Sequence, residues 1–278
     1  MLFKDILVVI RGGGDLASGV IYRLHKAGFP IVITELSIPL LVRRTVSYGE
    51  AAISGKITVE GITAQRFENP PTPVLPDSII PLVCDDSKHI IHKLKPVVVI
   101  DGRMMKHNPD TTLHDAPLVI ALGPGYTAGQ DCHAVIETNR GHFLGRVIWH
   151  GCAEADTGEP GVVQGKTHSR VLRAPVDGFV QPLKQIGDFI LKGDIIATVQ
   201  DHPVYANFDG ILRGLVNSQL YVTAGTKIGD LDPRAKRENC FTISEKSLAI
   251  GGGVLEAILS APQIRRRFIT SNPSITTR

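Results

Sequence analysis

The chain has 278 residues, 43% hydrophobic and 21% charged, with a formal net charge of +3. At about 150 residues per domain this length predicts two domains, each able to bury a core. The longest apolar runs, such as Ile6–Ile10, fall far short of the roughly 18 residues a membrane span needs. The opening MLFKDILVVIRGGG is too short and too charged for a signal peptide, so a cytoplasmic protein without a membrane partner is expected. One basic run, Arg265–Arg267, and 5% aromatic residues argue against a nucleic-acid partner. Cys84, Cys132, Cys152 and Cys240 show no C-x-x-C pair, which excludes a zinc ribbon or a secreted disulfide framework.

In chain order, Ile6–Ile10 reads as a strand buried on both faces, followed by Gly12-Gly13-Gly14. Leu16, Val20 and Leu24 then recur at helical spacing, Gly28 stands at the helix end, and residues 31–35 form a second strand. This βαβ opening predicts an α/β Rossmann-like domain over residues 1–160. Residues 38–53 are expected to be helical. Residues 97–101 and 118–122 read as further strands, and the five prolines between Asn69 and Pro81 mark a surface connection. The apolar runs 133–138 and 144–150, flanking Asn139-Arg140-Gly141, are expected to form a hairpin leaving the first domain.

An internal repeat follows. Ala174-Pro-Val-Asp-Gly-Phe-Val180 recurs as Ala206-Asn-Phe-Asp-Gly-Ile-Leu212, and the same offset of 32 carries Phe189-Ile190 onto Tyr221-Val222. A twofold β unit over residues 161–236 is predicted. The phrases Ala174-Pro-Val-Asp-Gly178 and Ile186-Gly-Asp-Phe-Ile-Leu-Lys-Gly-Asp194 resemble the biotinyl/lipoyl-type barrel-sandwich hybrid. The resemblance implies that fold. The turn Gln200-Asp-His-Pro203 holds no lysine, so covalent biotin or lipoate is not expected. Residues 237–278 complete the chain as a C-terminal helix, interrupted by Gly251-Gly252-Gly253, and a polar tail. Those glycines allow close packing against another element, or mark a second anion site.

Gly12-x-Gly14-x-x-Ala17 matches a dinucleotide fingerprint between strand and helix. Gly12, Gly13 and Gly14 would let a pyrophosphate approach the helix N-terminus, and Glu35 stands where a carboxylate accepts a ribose hydroxyl. Asp15 can cap the helix and repel a phosphate. Arg43 and Arg44 are candidates for holding a phosphate or a partner's carboxylate. Gly123 and Gly125 belong to a second glycine-rich loop after a strand. Six histidines fall between residues 107 and 168, but no H-x-x-x-H or C-x-x-C pair fixes a metal site, and none is predicted. Cys132 beside His133 is a weak nucleophile candidate, since adjacent strand residues point to opposite faces.

Longer motifs carry a resemblance. Arg11-Gly-Gly-Gly-Asp-Leu-Ala-Ser-Gly19, Val42-Arg-Arg-Thr-Val46, Leu122-Gly-Pro-Gly-Tyr-Thr-Ala-Gly129, His133-Ala-Val-Ile-Glu-Thr138, Arg140-Gly-His142, Asp230-Leu-Asp-Pro-Arg234 and Ile250-Gly-Gly-Gly-Val-Leu-Glu256 follow in order. Together they resemble the YqeB-type selenium-dependent molybdenum hydroxylase system family, and more loosely XdhC-type maturation factors. The resemblance implies an accessory protein for a molybdenum hydroxylase apoenzyme or its maturation machinery. The shared glycine loops imply a ligand crevice, for which an NAD-like dinucleotide or a molybdopterin nucleotide is the expected occupant, and the resemblance carries over no catalytic residue. An NAD-dependent oxidoreductase and a non-enzymatic nucleotide-sensing module are the alternatives. The oligomeric state, a homo-oligomer included, is left open.

Overall fold

A computed structural model describes residues 3–74, 79–156, 158, 164–166 and 168–270. The expected boundary at 160/161, part of the proline-rich connection (75–78) and the polar tail (271–278) lie outside the described residues. The first part of the chain builds eleven strands: β1 (Val8–Arg11), β2 (Ile31–Glu35), β3 (Lys56–Val59), β4 (Ile62–Arg66), β5 (Ile80–Cys84), β6 (Val98–Asp101), β7 (Leu118–Leu122), β8 (Thr127–Ala128), β9 (Ala134–Ile136), β10 (Val147–Ile148) and β11 (Gly151–Cys152). Nine of them form one sheet in the order β10-β9-β7-β6-β1-β2-β5-β4-β3, while β8 and β11 pair separately. The same part of the chain holds α1 (Asp15–Lys26), α2 (Ala51–Ser54) and α3 (His89–Leu94), and α4 (Glu245–Ser260) and α5 (Pro262–Thr270) come back to the sheet from the far end of the described chain.

The central strands β1, β2, β6 and β7 are almost wholly inaccessible to water, as their continuous Val/Ile runs require. One face packs on α1 and α4 through Ile10, Val20, Leu24, Ile100, Val254 and Ile258. The other buries Val9, Val32, Val99 and Val119 with Ile90 and Ile91 of α3. The α1–α4 crossing is close because glycines meet there. A Cβ on Gly19 would strike the Ser247 backbone, one on Gly251 the Gly19 carbonyl, and one on Gly253 the Gly145 carbonyl. Close packing therefore accounts for two of the three α4 glycines.

The expected Rossmann-like domain followed by a barrel-sandwich hybrid and a C-terminal helix is corrected by this architecture. The large sheet is mixed, since β3 and β10 run antiparallel at its two edges. The passage from β6 to β7 carries only the 3-10 turn Leu113–Asp115, and that from β7 to β9 only β8, so the sheet is not wound by a helix at each crossover. Cover on that side comes from α4, far along the chain. The expected helix over 38–53 is also replaced by 3-10 turns at Arg44–Val46 and Tyr48–Glu50 and the single turn α2. The buried Tyr48 hydroxyl donates to the Val59 carbonyl at 3.1 Å and the Ser47 hydroxyl to the Arg43 carbonyl at 2.9 Å, tying these turns to β3 and to one another. The 133–150 hairpin forms as β9–β10, but it extends the large sheet and does not leave it.

Residues 171–232 add β12 (Val171–Arg173), β13 (Gly178–Pro182), β14 (Phe189–Ile190), β15 (Ile195–Val199), β16 (His202–Tyr205), β17 (Gly210–Leu215), β18 (Tyr221–Val222) and β19 (Lys227–Asp232). They form two four-stranded antiparallel sheets, β12-β19-β17-β14 and β16-β15-β13-β18, each drawing strands from both repeats. The unit is not free-standing. Val42 packs against its core, a Cβ on Gly214 would lie 2.8 Å from Val42, and the Arg44 guanidinium donates to the Leu215 carbonyl at 2.8 Å.

Candidate functional site

The chain lays β2 and β5 on one side of β1, then returns to lay β6 and β7 on the other. Such a switch point opens a crevice at the carboxyl ends of the strands. Here a cleft of about 590 Å³ lies at those ends, lined by the loops after β1, β2, β5 and β6. Of the residues singled out in the sequence, Gly12, Gly14, Asp15, Glu35 and Arg43 line it. Gly13, Arg44, Gly123 and Gly125 do not line it among the described residues.

Gly12 has φ +87°, a conformation open to glycine, and a Cβ there would press on the Arg103 backbone at 3.2 Å. The amide of Gly13 is already satisfied: it donates to Glu35 Oε2 at 2.8 Å, while the Leu36 amide donates to Oε1 at 2.9 Å. Glu35 therefore braces the glycine loop from below. Burial pushes its carboxyl above the ordinary range, against the opposing pull of those two amides and Arg103. Gly14 caps α1 with no side chain to accept a first-turn amide. Beside it, both Asp15 oxygens accept from Arg43 Nη1 at 2.8 and 2.9 Å, and Asp15 also accepts from the Ser247 hydroxyl at 3.1 Å. Arg43 spends Nη2 on the Asn239 carbonyl, leaving its buried Nε without a partner among the described residues.

Gly123 and Gly125 serve another purpose. A Cβ on Gly123 would lie 2.8 Å from the Thr138 hydroxyl, and one on Gly125 would strike the Met105 carbonyl. That loop props the segment after β6, so it supports the cleft wall from behind.

The sequence reading missed the network under the cleft floor. Arg11 and Asp101 end β1 and β6 side by side in register. Arg11 grips Asp110 with both Nη atoms at 2.9 and 2.7 Å, and Arg103 grips Asp101 at 3.0 and 2.7 Å while reaching Asp110 at 2.6 Å. The Thr111 hydroxyl donates to Asp101 at 2.5 Å. Burial alone would raise the Asp101 carboxyl, but Arg103, Thr111 and Arg11 outweigh it and hold its pKa below the usual range. Asp110 is held low by the same two arginines against its partial burial. The Tyr126 hydroxyl is buried nearby without a hydrogen-bond partner among the described residues, and burial raises its pKa. A strand ending in Asp-Gly-Arg beside one ending in Arg-Gly was the available signal.

The cleft has a definite chemical character. Leu16, Leu36, Leu40, Leu41, Met104 and Met105 form apolar walls, and Leu36, Leu40 and Met105 stay exposed at the mouth. Three arginines, Arg11, Arg43 and Arg103, face four acids, Asp15, Glu35, Asp85 and Asp86. With Asp101 and Asp110 behind them, the surroundings are net acidic. A pyrophosphate finds its obvious donors engaged, whereas a flat ring bearing amino groups finds apolar walls and carboxylate acceptors.

Away from the cleft, His133 Nδ1 accepts the Val119 amide at 3.0 Å. Burial and Asp131 push the Cys132 thiol up to about 12, the opposite of an activated nucleophile. No group of three metal-capable side chains forms among the described residues. No helix among them is long and apolar enough to cross a membrane.

Comparison with known proteins adds one strong sequence match. The chain is 46% identical over 255 residues, 91% of its length, to the Escherichia coli uncharacterized protein YqeB. The chain is a relative of YqeB. It spans 47% of that relative's length. No protein-family model matches it. Among solved structures it is similar, at 14% identity, to a succinylglutamate desuccinylase/aspartoacylase from Rhodobacter sphaeroides, over 82% of this chain and 85% of that one, with a TM-score of 0.26. It is also similar, at 9% identity, to the ectoine utilization protein EutE of Ruegeria pomeroyi, over 82% and 85%, with a TM-score of 0.27. Scores this low carry no inference about fold or activity. The relation to YqeB names no reaction, so the cleft has to be read from its own chemistry.

Proposed function

We propose that this chain is an accessory protein for a selenium-dependent molybdenum hydroxylase, and that its switch-point cleft takes the ring end of a nucleotide-like or molybdopterin-type ligand. The observation that carries this reading is the cleft itself: about 590 Å³, walled by leucines and methionines and edged by carboxylates, between the glycine loop and Arg103. The residues present fit such a group in part. Met104, Met105, Leu36, Leu40 and Leu41 would hold a flat heterocycle, and Asp86 at the cleft edge would accept from its amino groups. A phosphate would lie toward Gly14 and the start of α1, where Asp15 is neutralised by Arg43. The motif resemblance is what suggests the maturation role, with the hydroxylase or its assembly machinery as partner.

An NAD-dependent oxidoreductase is less well supported, because the carboxylate that would take the ribose hydroxyls already holds the Gly13 and Leu36 amides. Titration calorimetry with NAD, NADPH and a molybdopterin nucleotide separates the readings. The molybdopterin nucleotide is expected to bind. Leu40→Asp, on the exposed rim, should weaken it by about tenfold by charging an apolar wall. Gly14→Asp, which supplies a favourable helix cap, should leave folding intact and weaken phosphate-bearing ligands selectively. Binding of NAD alone would favour the oxidoreductase, and no binding by any of the three would remove the cleft assignment.

A further inference from the structure

At the opposite end of the central strands, where β6 and β7 begin, a groove of about 680 Å³ opens between α3, the turn Leu113–Asp115 and α5. Five basic side chains line it: His92 from α3, Lys95 just after α3, His114 from the turn, His133 ahead of β9, and Arg267 from α5. Asp115, the carboxylate on this wall, is already committed. Both its oxygens accept from Lys88 Nζ, at 2.7 and 2.8 Å, and it closes a capping box with Thr112. The side chains of His92, Lys95 and His114 make no hydrogen bond or ion pair among the described residues. A chain carrying only +3 overall thus turns His92, Lys95 and His114 toward one concavity with their side chains uncommitted among the described residues.

Two details orient the cluster. His133 Nδ1 accepts the Val119 amide, so in the neutral ring the proton sits on Nε2, which remains a donor. Lys95 holds a left-handed backbone, φ +45°, at the end of α3, where glycine or asparagine is the comfortable choice. A long cationic side chain kept at such a position points to a use for that side chain.

We infer that this groove binds a small, multiply charged phosphoryl anion. Lysine and histidine offer single donors from several directions, which suits the tetrahedral oxygens of a phosphoryl group. The groove lies at the far end of the strands from the Gly12 cleft, so this site stands or falls independently of the reading given above.

Histidine side-chain NMR of the full chain, titrated with inorganic pyrophosphate, orthophosphate and citrate at constant ionic strength, tests it. Pyrophosphate is expected to shift the His92, His114 and His133 ring signals saturably and to bind more tightly than citrate. Lys95→Gly should weaken pyrophosphate by about tenfold while leaving thermal stability equal or higher, because glycine adopts this φ freely. His114→Gln should weaken it in the same direction. The assignment is overturned by an absence of saturable shifts, by citrate binding as tightly as pyrophosphate, or by both variants titrating like the wild type.

Discussion

Glu35 Oε2 accepts the backbone N–H of Gly13 at 2.8 Å, so the acid at the end of β2 is a strut of the glycine loop. Burial raises its pKa above the ordinary 4.5, meaning that the folded state holds the proton more tightly than the unfolded chain. Its contribution to stability is therefore greatest at low pH and declines as pH rises from the ordinary value through the raised one. Glu35→Gln keeps one acceptor and carries no charge. Chemical denaturation should show the stability of Glu35→Gln relative to wild type improving as pH rises from the ordinary carboxylate value through the raised one. Glu35→Ala, which strands the Gly13 and Leu36 amides, should lose about 1–3 kcal/mol.

The pair beneath the cleft behaves in the opposite sense. Asp101 and Asp110 have pKa values held down in the folded state by Arg103 and Arg11. Their stabilisation is present above the ordinary carboxylate value and drains away as pH falls toward the depressed one. Asp101 is fully buried, so Asp101→Ala removes the buried acceptor of Arg103 and Thr111, leaves Arg11 and Arg103 to share Asp110, and should cost about 3–5 kcal/mol in urea denaturation. A loss below 1 kcal/mol would mean the network is not closed as described.

Glycines in α4 make a paired prediction. Gly251 backs onto the Gly19 carbonyl, whereas Gly252 has open space where a Cβ would stand. Gly251→Ala should destabilise by about 1–3 kcal/mol through overpacking of the α1–α4 crossing. Gly252→Ala should stabilise by about 0.5–1 kcal/mol through helix propensity alone. Thermal melts of the two variants should move apart, and equal shifts would contradict the packing.

Thiol accessibility checks the burial pattern. Cys152 is exposed on β11, while Cys132 and Cys240 are buried with raised pKa values. Under native conditions a maleimide should label Cys152 first and leave Cys132 and Cys240 unreacted until denaturant is added. Rapid native labelling of Cys132 would place it in a different environment.

Local features were legible where the signal is short-range. Val8–Arg11 and Ile31–Glu35 are strands because their apolar runs are buried on both faces, α1 follows the spacing of Val20 and Leu24, and the offset of 32 marks equivalent strands such as β13 and β17, one in each four-stranded sheet. The residue identities also placed Gly12, Gly14, Asp15, Glu35 and Arg43 at one cleft. Their partners were not legible. Whether Glu35 meets a ribose or the Gly13 amide, and whether Arg43 meets a phosphate or Asp15, depends on side-chain direction across loops that periodicity does not describe. The mixed edges β3 and β10, the return of α4 onto α1, and the meeting of Arg11 with Asp110 across 99 residues are long-range events. The amino-acid sequence by itself determined which segments must be buried and which loops are free of side chains. Tertiary structure alone decided which charges neutralise one another, because burial makes each ion pair compete with water and with any ligand for the same few donors.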